Sequence, residues 1–269
     1  MINVAHSSHR NLLGRCFVNV PFSRLKSDLL DLVLDHRIRP EIGLEGNVLY
    51  DEPPEEFARI AAILHKADLA CTLHAPFHDL VPGALDPEIL KATRNKLAKA
   101  FALIPVFKPR AVVCHLDFEP DKHRAKEEAW FGHALATWRQ LLAVARQHRT
   151  EMMLENTYET EPAQLIRMLA TLDSPYARFC LDVGHVMAFA GSSWQQWLPQ
   201  LEPWLGQIHL HDNDGRTDSH LAVGEGIFDF TGLFDYLRGQ GLKPLITLEP
   251  HREEGLATSL ANIHRLGLF

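Results

Sequence analysis

The sequence predicts an α/β fold, a closed (β/α)8 TIM barrel that takes residues 1–269 as one domain, with the barrel proper from about residue 15. Three observations predict it. Eight short, nearly continuous apolar runs alternate with eight segments of helical periodicity, the rhythm of a parallel sheet buried on both faces. Eight such units in about 250 residues suit a closed barrel. The first run ends in Pro21-Phe22-Ser23, whereas a doubly wound open sheet carries a glycine-rich phosphate turn after its first strand.

Cys16 to Val20 is an apolar run closed by Pro21 and reads as the first strand. Ser23 is placed to N-cap a helix from Leu25 to Asp35, where Leu25, Leu29, Leu32 and Val33 recur at helical spacing. Pro40 introduces a second strand, Glu41 to Glu45, and a helix follows from Pro54 to Lys66. The third strand, Ala70 to Pro76, is stopped by its proline, and a helix runs from Pro87 to Phe107. Ala111 to His115 is the fourth strand. The charged stretch Asp117 to Glu128 reads as a loop leading into a helix from Lys126 to His148. Three further pairs follow: strand Glu151–Glu155 with helix Pro162–Leu172, strand Arg178–Asp182 with helix Trp194–Trp204, and strand Gln207–His211 with helix Thr231–Gln240. Strand Pro244–Glu249 and a helix from Leu256 onward complete the eight. Trp194, Trp197 and Trp204 are expected to cover the outer helices.

Composition narrows the function. A formal charge of −7 disfavours a protein whose whole surface grips phosphates. No run of eighteen apolar residues exists, so no membrane span is expected, and Met1 to His6 lacks the pattern of a secretory signal. Cys16, Cys71, Cys114 and Cys180 lie far apart in apolar runs and read as buried thiols of a reducing compartment. A cytoplasmic location is the expectation.

The chemistry lies at the strand ends. His74, His115, Glu155, Asp182, His209 and Glu249 each sit at the carboxyl end of a predicted strand, the third to the eighth. In a barrel those ends converge on one mouth, where active sites lie. Uncompensated polar groups packed together there would be costly, and three carboxylates would repel one another. A bound cation removes both problems. The stretch from Gln207 to His220 adds density, with three histidines and three aspartates in fourteen residues. Asp218 and His220 stand two apart in its loop, and His185 follows Asp182 by three. Gly224-Glu225-Gly226 suits a tight turn, with Glu225 an exposed loop charge.

His74-Ala75-Pro76, Leu154-Glu155-Asn156-Thr157, Leu181-Asp182-Val183-Gly184-His185, the run His209 to Gly215, Gly224-Glu225-Gly226 and Leu248-Glu249-Pro250 resemble the xylose-isomerase-like TIM barrels. That superfamily contains sugar phosphate isomerases and epimerases and endonuclease IV. The resemblance implies one to three divalent ions, zinc or manganese. In the epimerase branch one ion is held by Glu155, Asp182, His209 and Glu249, the two glutamates flank the substrate, and His185 touches it. In the endonuclease branch His74, His115 and Glu155 hold one ion, the four-residue set holds a second, and His185, Asp218 and His220 hold a third. His211 stands where that branch usually has asparagine. Phe77 and His78 stand where it is expected to wedge a tyrosine and a leucine into DNA.

The expected function is therefore a metal-dependent isomerase or epimerase of a small carbohydrate, with Glu155 and Glu249 as the acid/base pair. His185 and His211 are candidates to bind hydroxyls, and Arg216 a phosphate or carboxylate. A phosphodiesterase of the endonuclease IV type, with nucleic acid as its partner, is the alternative. A non-catalytic metal-binding barrel is a third reading.

Overall fold

The computed structural model describes residues 11–250 and 252–269; Met1 to His6, read above for a leader, lies outside them. Eight parallel strands close in sequence order: β1 (Phe17–Pro21), β2 (Pro40–Gly43), β3 (Thr72–His74), β4 (Ala111–His115), β5 (Glu151–Glu155), β6 (Ala177–Asp182), β7 (Leu205–Leu210) and β8 (Leu245–Leu248). β4 pairs with β5 over five residues, from Ala111↔Glu151 to His115↔Glu155. The closing seam is shorter: β1 meets β8 only at Phe17↔Thr247 and Val18↔Leu248. Between Phe179 and Cys180 the β6–β7 register shifts. Gly206 sits there because a Cβ would come within 2.7 Å of Met153 Sδ.

Most of the apolar core lies between the strands and the outer helices and includes Phe22, Trp130, Trp138 and Trp197. Trp194 is also buried, as expected for a helix-covering residue, while Trp204 is only partly so. Inside the barrel the apolar plug is small: Ala111, Val113, Met153 and Cys180, with Leu245 against them. Above it the interior turns polar. Glu41 Oε2 accepts bonds from Thr72 Oγ1 (2.8 Å), Gln207 Nε2 (2.5 Å) and Thr247 Oγ1 (3.1 Å), all buried. The four cysteines are free and buried.

Several local expectations change. The helix expected over Leu25–Asp35 is two short ones, Phe22–Leu25 and Leu30–Asp35. The first starts directly after Pro21, so Ser23 is not its N-cap; its hydroxyl bonds Glu45 Oε1 at 2.9 Å instead. The expected helix Pro87–Phe107 breaks after Phe101 and resumes at Ile104, because Pro105 fits the start of a helix and not its interior. The charged 117–128 stretch holds a short helix, Pro120–His123, and a 3-10 turn. Two helices were not expected at all: Val48–Asp51, and Val183–Ala188, which is opened by Asp182, whose Oδ1 accepts the His185 N–H at 2.7 Å.

Candidate metal centre

The βα alternation places the carboxyl ends of all eight strands on one rim. Glu155 stands at the centre of the ligand-type side chains gathered there. Its Oε2 is 3.3 Å from His74 Nε2 and 3.4 Å from His115 Nε2. Its Oε1 is 3.2 Å from His209 Nδ1 and 3.6 Å from His185 Nδ1. Glu249, one residue past β8, brings Oε1 to 3.2 Å from the same His209 Nδ1, and Asp182 Oδ2 lies 3.9 Å from it. His74, His115 and Glu155 form one compact group with ligand atoms within 4.8 Å of one another, and His185, His211, Asp218 and His220 form another. The structure thus brings together all nine residues singled out for metal, together with His211.

Local structure explains their poses. Asn156 ties β5 to β6 by accepting the Asp182 N–H at 2.9 Å and donating to the Asp182 carbonyl at 3.0 Å. The loop after β7 is organised by buried Asp212. Its Oδ1 accepts the N–H of Asn213 and Phe228 (2.9 and 3.1 Å), and its Oδ2 accepts those of Gly224 and Gly226 (3.1 and 2.8 Å). Gly224 has φ +81°, and a Cβ on Gly226 would overlap the Asn213 carbonyl, so both glycines are required. An antiparallel bridge between Asp212 and Leu221 then turns the loop back and carries Asp218 and His220 over the mouth. Glu225 is exposed, as expected.

Arg216 does not reach the mouth. Asp214 Oδ1 accepts the N–H groups of Arg216 and Thr217 (2.9 and 3.1 Å), and this Asx-type turn leaves the arginine exposed. Conversely, the sequence reading passed over Glu41. It is fully buried on β2, with Oε1 3.1 Å from His209 Nε2. A charged residue inside a strand of a sheet buried on both faces was the available signal. Asp212 was missed as a loop organiser for want of any local pattern.

The charges interlock. Burial alone would raise the Glu155 carboxyl, but the charge of His209 and the contact with His74 Nε2 outweigh it and hold it well below the usual carboxylate range. Burial opposes charge on His185, yet Asp182, the Asp218 contact and Glu155 raise it to about 10. His220 rises to about 9 against its burial, through its bond to Asp218 and the charge of Glu249. His115 goes the other way, pushed by burial to about 3 despite Glu155. Buried carboxylates are thus balanced by protons on imidazoles, a balance that a divalent cation would also supply. The donor set fits one: the buried atoms His209 Nδ1, His211 Nδ1 and Asp218 Oδ1 make no well-directed hydrogen bond, and imidazole with carboxylate suits zinc or manganese.

Above this cage opens a cavity of about 460 Å³. Phe77, Tyr158 and Phe189 supply apolar lining, and Phe77 stacks on His115 with ring centroids 4.3 Å apart. Among the described residues lining it there is no lysine or arginine.

Comparison with known proteins agrees with this architecture. A D-tagatose 3-epimerase-like protein superposes with a TM-score of 0.80 at 20% identity, covering 93% of this chain and 96% of its own. The TTHB071 protein from Thermus thermophilus, solved after soaking with ZnCl2, gives 0.76 at 21% identity, covering 94% and 97%. The uncharacterized protein MJ1311 of Methanocaldococcus jannaschii is 23% identical over an alignment of 207 residues that covers 73% of this chain and 69% of the relative. The model of the xylose isomerase-like TIM barrel family matches residues 40–266, and the chain belongs to that family.

Proposed function

We propose that the protein is a metal-dependent isomerase or epimerase of a small, uncharged polyhydroxy carbonyl compound. One observation carries the reading: the carboxylates of Glu155 and Glu249 approach from β5 and from beyond β8 and meet at His209 Nδ1, each 3.2 Å away, beneath the cavity. Glu155, Asp182, His209 and Glu249 would hold the ion. Bound there, it would act as a Lewis acid toward a substrate carbonyl and the neighbouring hydroxyl oxygen.

The chain's own residues do the proton work. One glutamate takes the proton from the carbon beside the carbonyl, and the other returns a proton, to the opposite face if the enzyme is an epimerase. Glu155, kept ionised by its imidazole neighbours, is suited to the first role. His185, beside the cavity, is placed to bind substrate hydroxyls. Phe77, Tyr158 and Phe189 shield the reacting centre from water and offer surfaces to the apolar faces of a sugar ring. A lining without lysine or arginine favours a neutral sugar over a sugar phosphate. The volume lies within the range of small-molecule sites.

The test is incorporation of solvent deuterium into substrate across a panel of free sugars and sugar phosphates, with metal-loaded protein. Exchange is expected with free sugars and should be lost in Glu155→Gln and in Glu249→Gln. No exchange with any member of the panel overturns the proposal. A phosphodiesterase is the second reading, favoured by the gathering of all nine ligand-type residues; cleavage of an abasic-site duplex would establish it. The same lining without basic side chains weighs against a polyanionic substrate.

A further inference from the structure

The cavity at the mouth has two unlike halves. Glu155, Asp182, His209 and Glu249 reach it from β5, β6, β7 and the residue after β8. In the closed ring of eight strands β2 stands opposite β6, four strands away in either direction. The chain leaving β2 therefore faces the part of a substrate that lies farthest from Asp182. It brings Glu45 into the cavity lining, beside Asn19, Pro21 and Phe77.

Glu45 is set there by its neighbours. The Leu44 N–H bonds the His74 carbonyl at 3.0 Å, which carries the β2–β3 pairing one residue past Gly43. A Cβ on Gly43 would stand 3.3 Å from Glu45 Oε2 and 3.6 Å from Pro21 Cα, so the bare backbone at 43 leaves the carboxylate its place. The Ser23 hydroxyl donates to Glu45 Oε1 at 2.9 Å. Oε2 is buried and has no hydrogen-bond partner, a costly state for a carboxylate oxygen. The last torsion of a glutamate side chain turns easily, so either oxygen can be presented to the cavity. The neighbouring polar side chains are already engaged. Asn19 Nδ2 donates to Glu249 Oε1 at 3.3 Å, and His74 is held between the Ala75 carbonyl at 2.9 Å and Glu155 at 3.3 Å. Among the described residues lining the cavity no lysine or arginine offsets the carboxylate.

We propose that Glu45 selects the end of the substrate remote from the metal: its carboxylate accepts a hydrogen bond from the terminal hydroxyl of a free sugar and repels a phosphate ester on the same carbon. This rests on the isomerase or epimerase reading, because it takes the carbonyl end of a sugar to lie at the cage. A carboxylate accepts and does not donate. A hydroxyl supplies the missing donor, whereas a phosphate dianion supplies none and brings like charge close. A group placed to bond a hydroxyl also rejects the analogue that lacks it, because it is then left unpaired. Glu45 has no part in the proposed cage or in the proton transfer.

The experiment measures solvent-deuterium exchange by metal-loaded protein on three matched compounds: the free sugar that exchanges fastest, its analogue lacking the terminal hydroxyl, and its terminal phosphate ester. The intact protein is expected to show a kcat/KM for the free sugar about tenfold or more above either analogue. Glu45→Gln keeps the hydrogen bonding and drops the charge, so the phosphate should gain about tenfold relative to the free sugar. Glu45→Lys should reverse the preference outright. Glu45→Ala should level the free and terminally deoxygenated sugars, chiefly by raising KM for the first. Metal content should stay that of the intact protein in all three variants. If the three compounds keep their ratios in every variant while exchange persists, or if the intact protein prefers the phosphate, the proposal is overturned and the isomerase reading stands. If the intact protein exchanges with no sugar at all, that reading falls and takes this one with it. Should Glu45→Lys fail to fold, the isosteric Glu45→Gln decides.

Discussion

Replacing Glu41 with glutamine should weaken binding of the ion proposed around His209 without touching any of its proposed ligands. Glu41 Oε2 is saturated by donors from Thr72, Gln207 and Thr247 at 2.5 to 3.1 Å. The amide oxygen of a Glu41→Gln side chain must therefore take that position. Its NH2 group then faces His209 Nε2, which the carboxylate approached at 3.1 Å. Two donors cannot share that contact, so the imidazole shifts its proton to Nδ1, the atom 3.2 Å from both Glu155 and Glu249. A protonated Nδ1 has no lone pair for an ion. Loss of such an orienting partner costs about 10- to 100-fold in metal affinity, or about 1.4–2.7 kcal/mol. The assay is zinc titration against a competing chelator, with nitrogen NMR of the histidines to read the tautomer. Affinity within twofold of the parent protein, with the proton still on Nε2, would refute the argument.

The raised pKa values of His185 and His220, about 10 and about 9, predict how metal and pH are linked. Both groups bind protons more tightly when folded, so in the metal-free protein their stabilisation is complete below the unfolded value of about 6.5 and is lost as pH rises through 9 to 10. Thermal unfolding of the chelated protein should therefore fall across that window while the metal-loaded protein holds, and metal affinity should rise with pH as protons are displaced. Parallel curves for the two forms would contradict this. Asp212→Ala should leave four backbone N–H groups without their acceptor, at about 1–3 kcal/mol for each that stays buried and unsatisfied. Hydrogen exchange at Gly224, Gly226 and Phe228 should accelerate and metal content should drop; unchanged protection would count against Asp212 as the loop's organiser.

The barrel was legible because its strands are apolar on both faces and each is followed by a helical period. The same feature exposed the ligands: His115, Glu155 and Asp182 stand out because nothing polar precedes them in their runs beyond the first residue or two. Glu41 escaped because it opens its strand beside Pro40, where a charge passes for an edge residue, and only the closed sheet shows that it points inward to Thr72 and Gln207. His211 was read as a binder of hydroxyls. Its Nε2 contact with Asp182, 29 positions back along the chain, depends on the β6–β7 pairing and on Gly184 standing aside. Arg216 was misplaced by an ordinary cause: a turn made by Asp214, two residues earlier, sends its side chain outward. The break at Ala102–Leu103 follows from Pro105, which the helical periodicity had overridden.

The two-residue seam between β1 and β8 gives the cage a mechanical meaning. It is where the barrel shuts, joining its first strand to its last, and it is one of the most thinly bonded joints in the sheet. Glu249 stands immediately beyond it, reached from the β1 side by Asn19 Nδ2 at 3.3 Å. An ion drawing Glu249 toward His209 would rivet the last strand in place beside that joint. Half-barrels cut from this chain would lack the full grip, because His74 and His115 come from early strands and His209 and Glu249 from late ones. Occupancy would thus report closure of the cylinder, and a cation would stabilise only the molecule that has finished assembling.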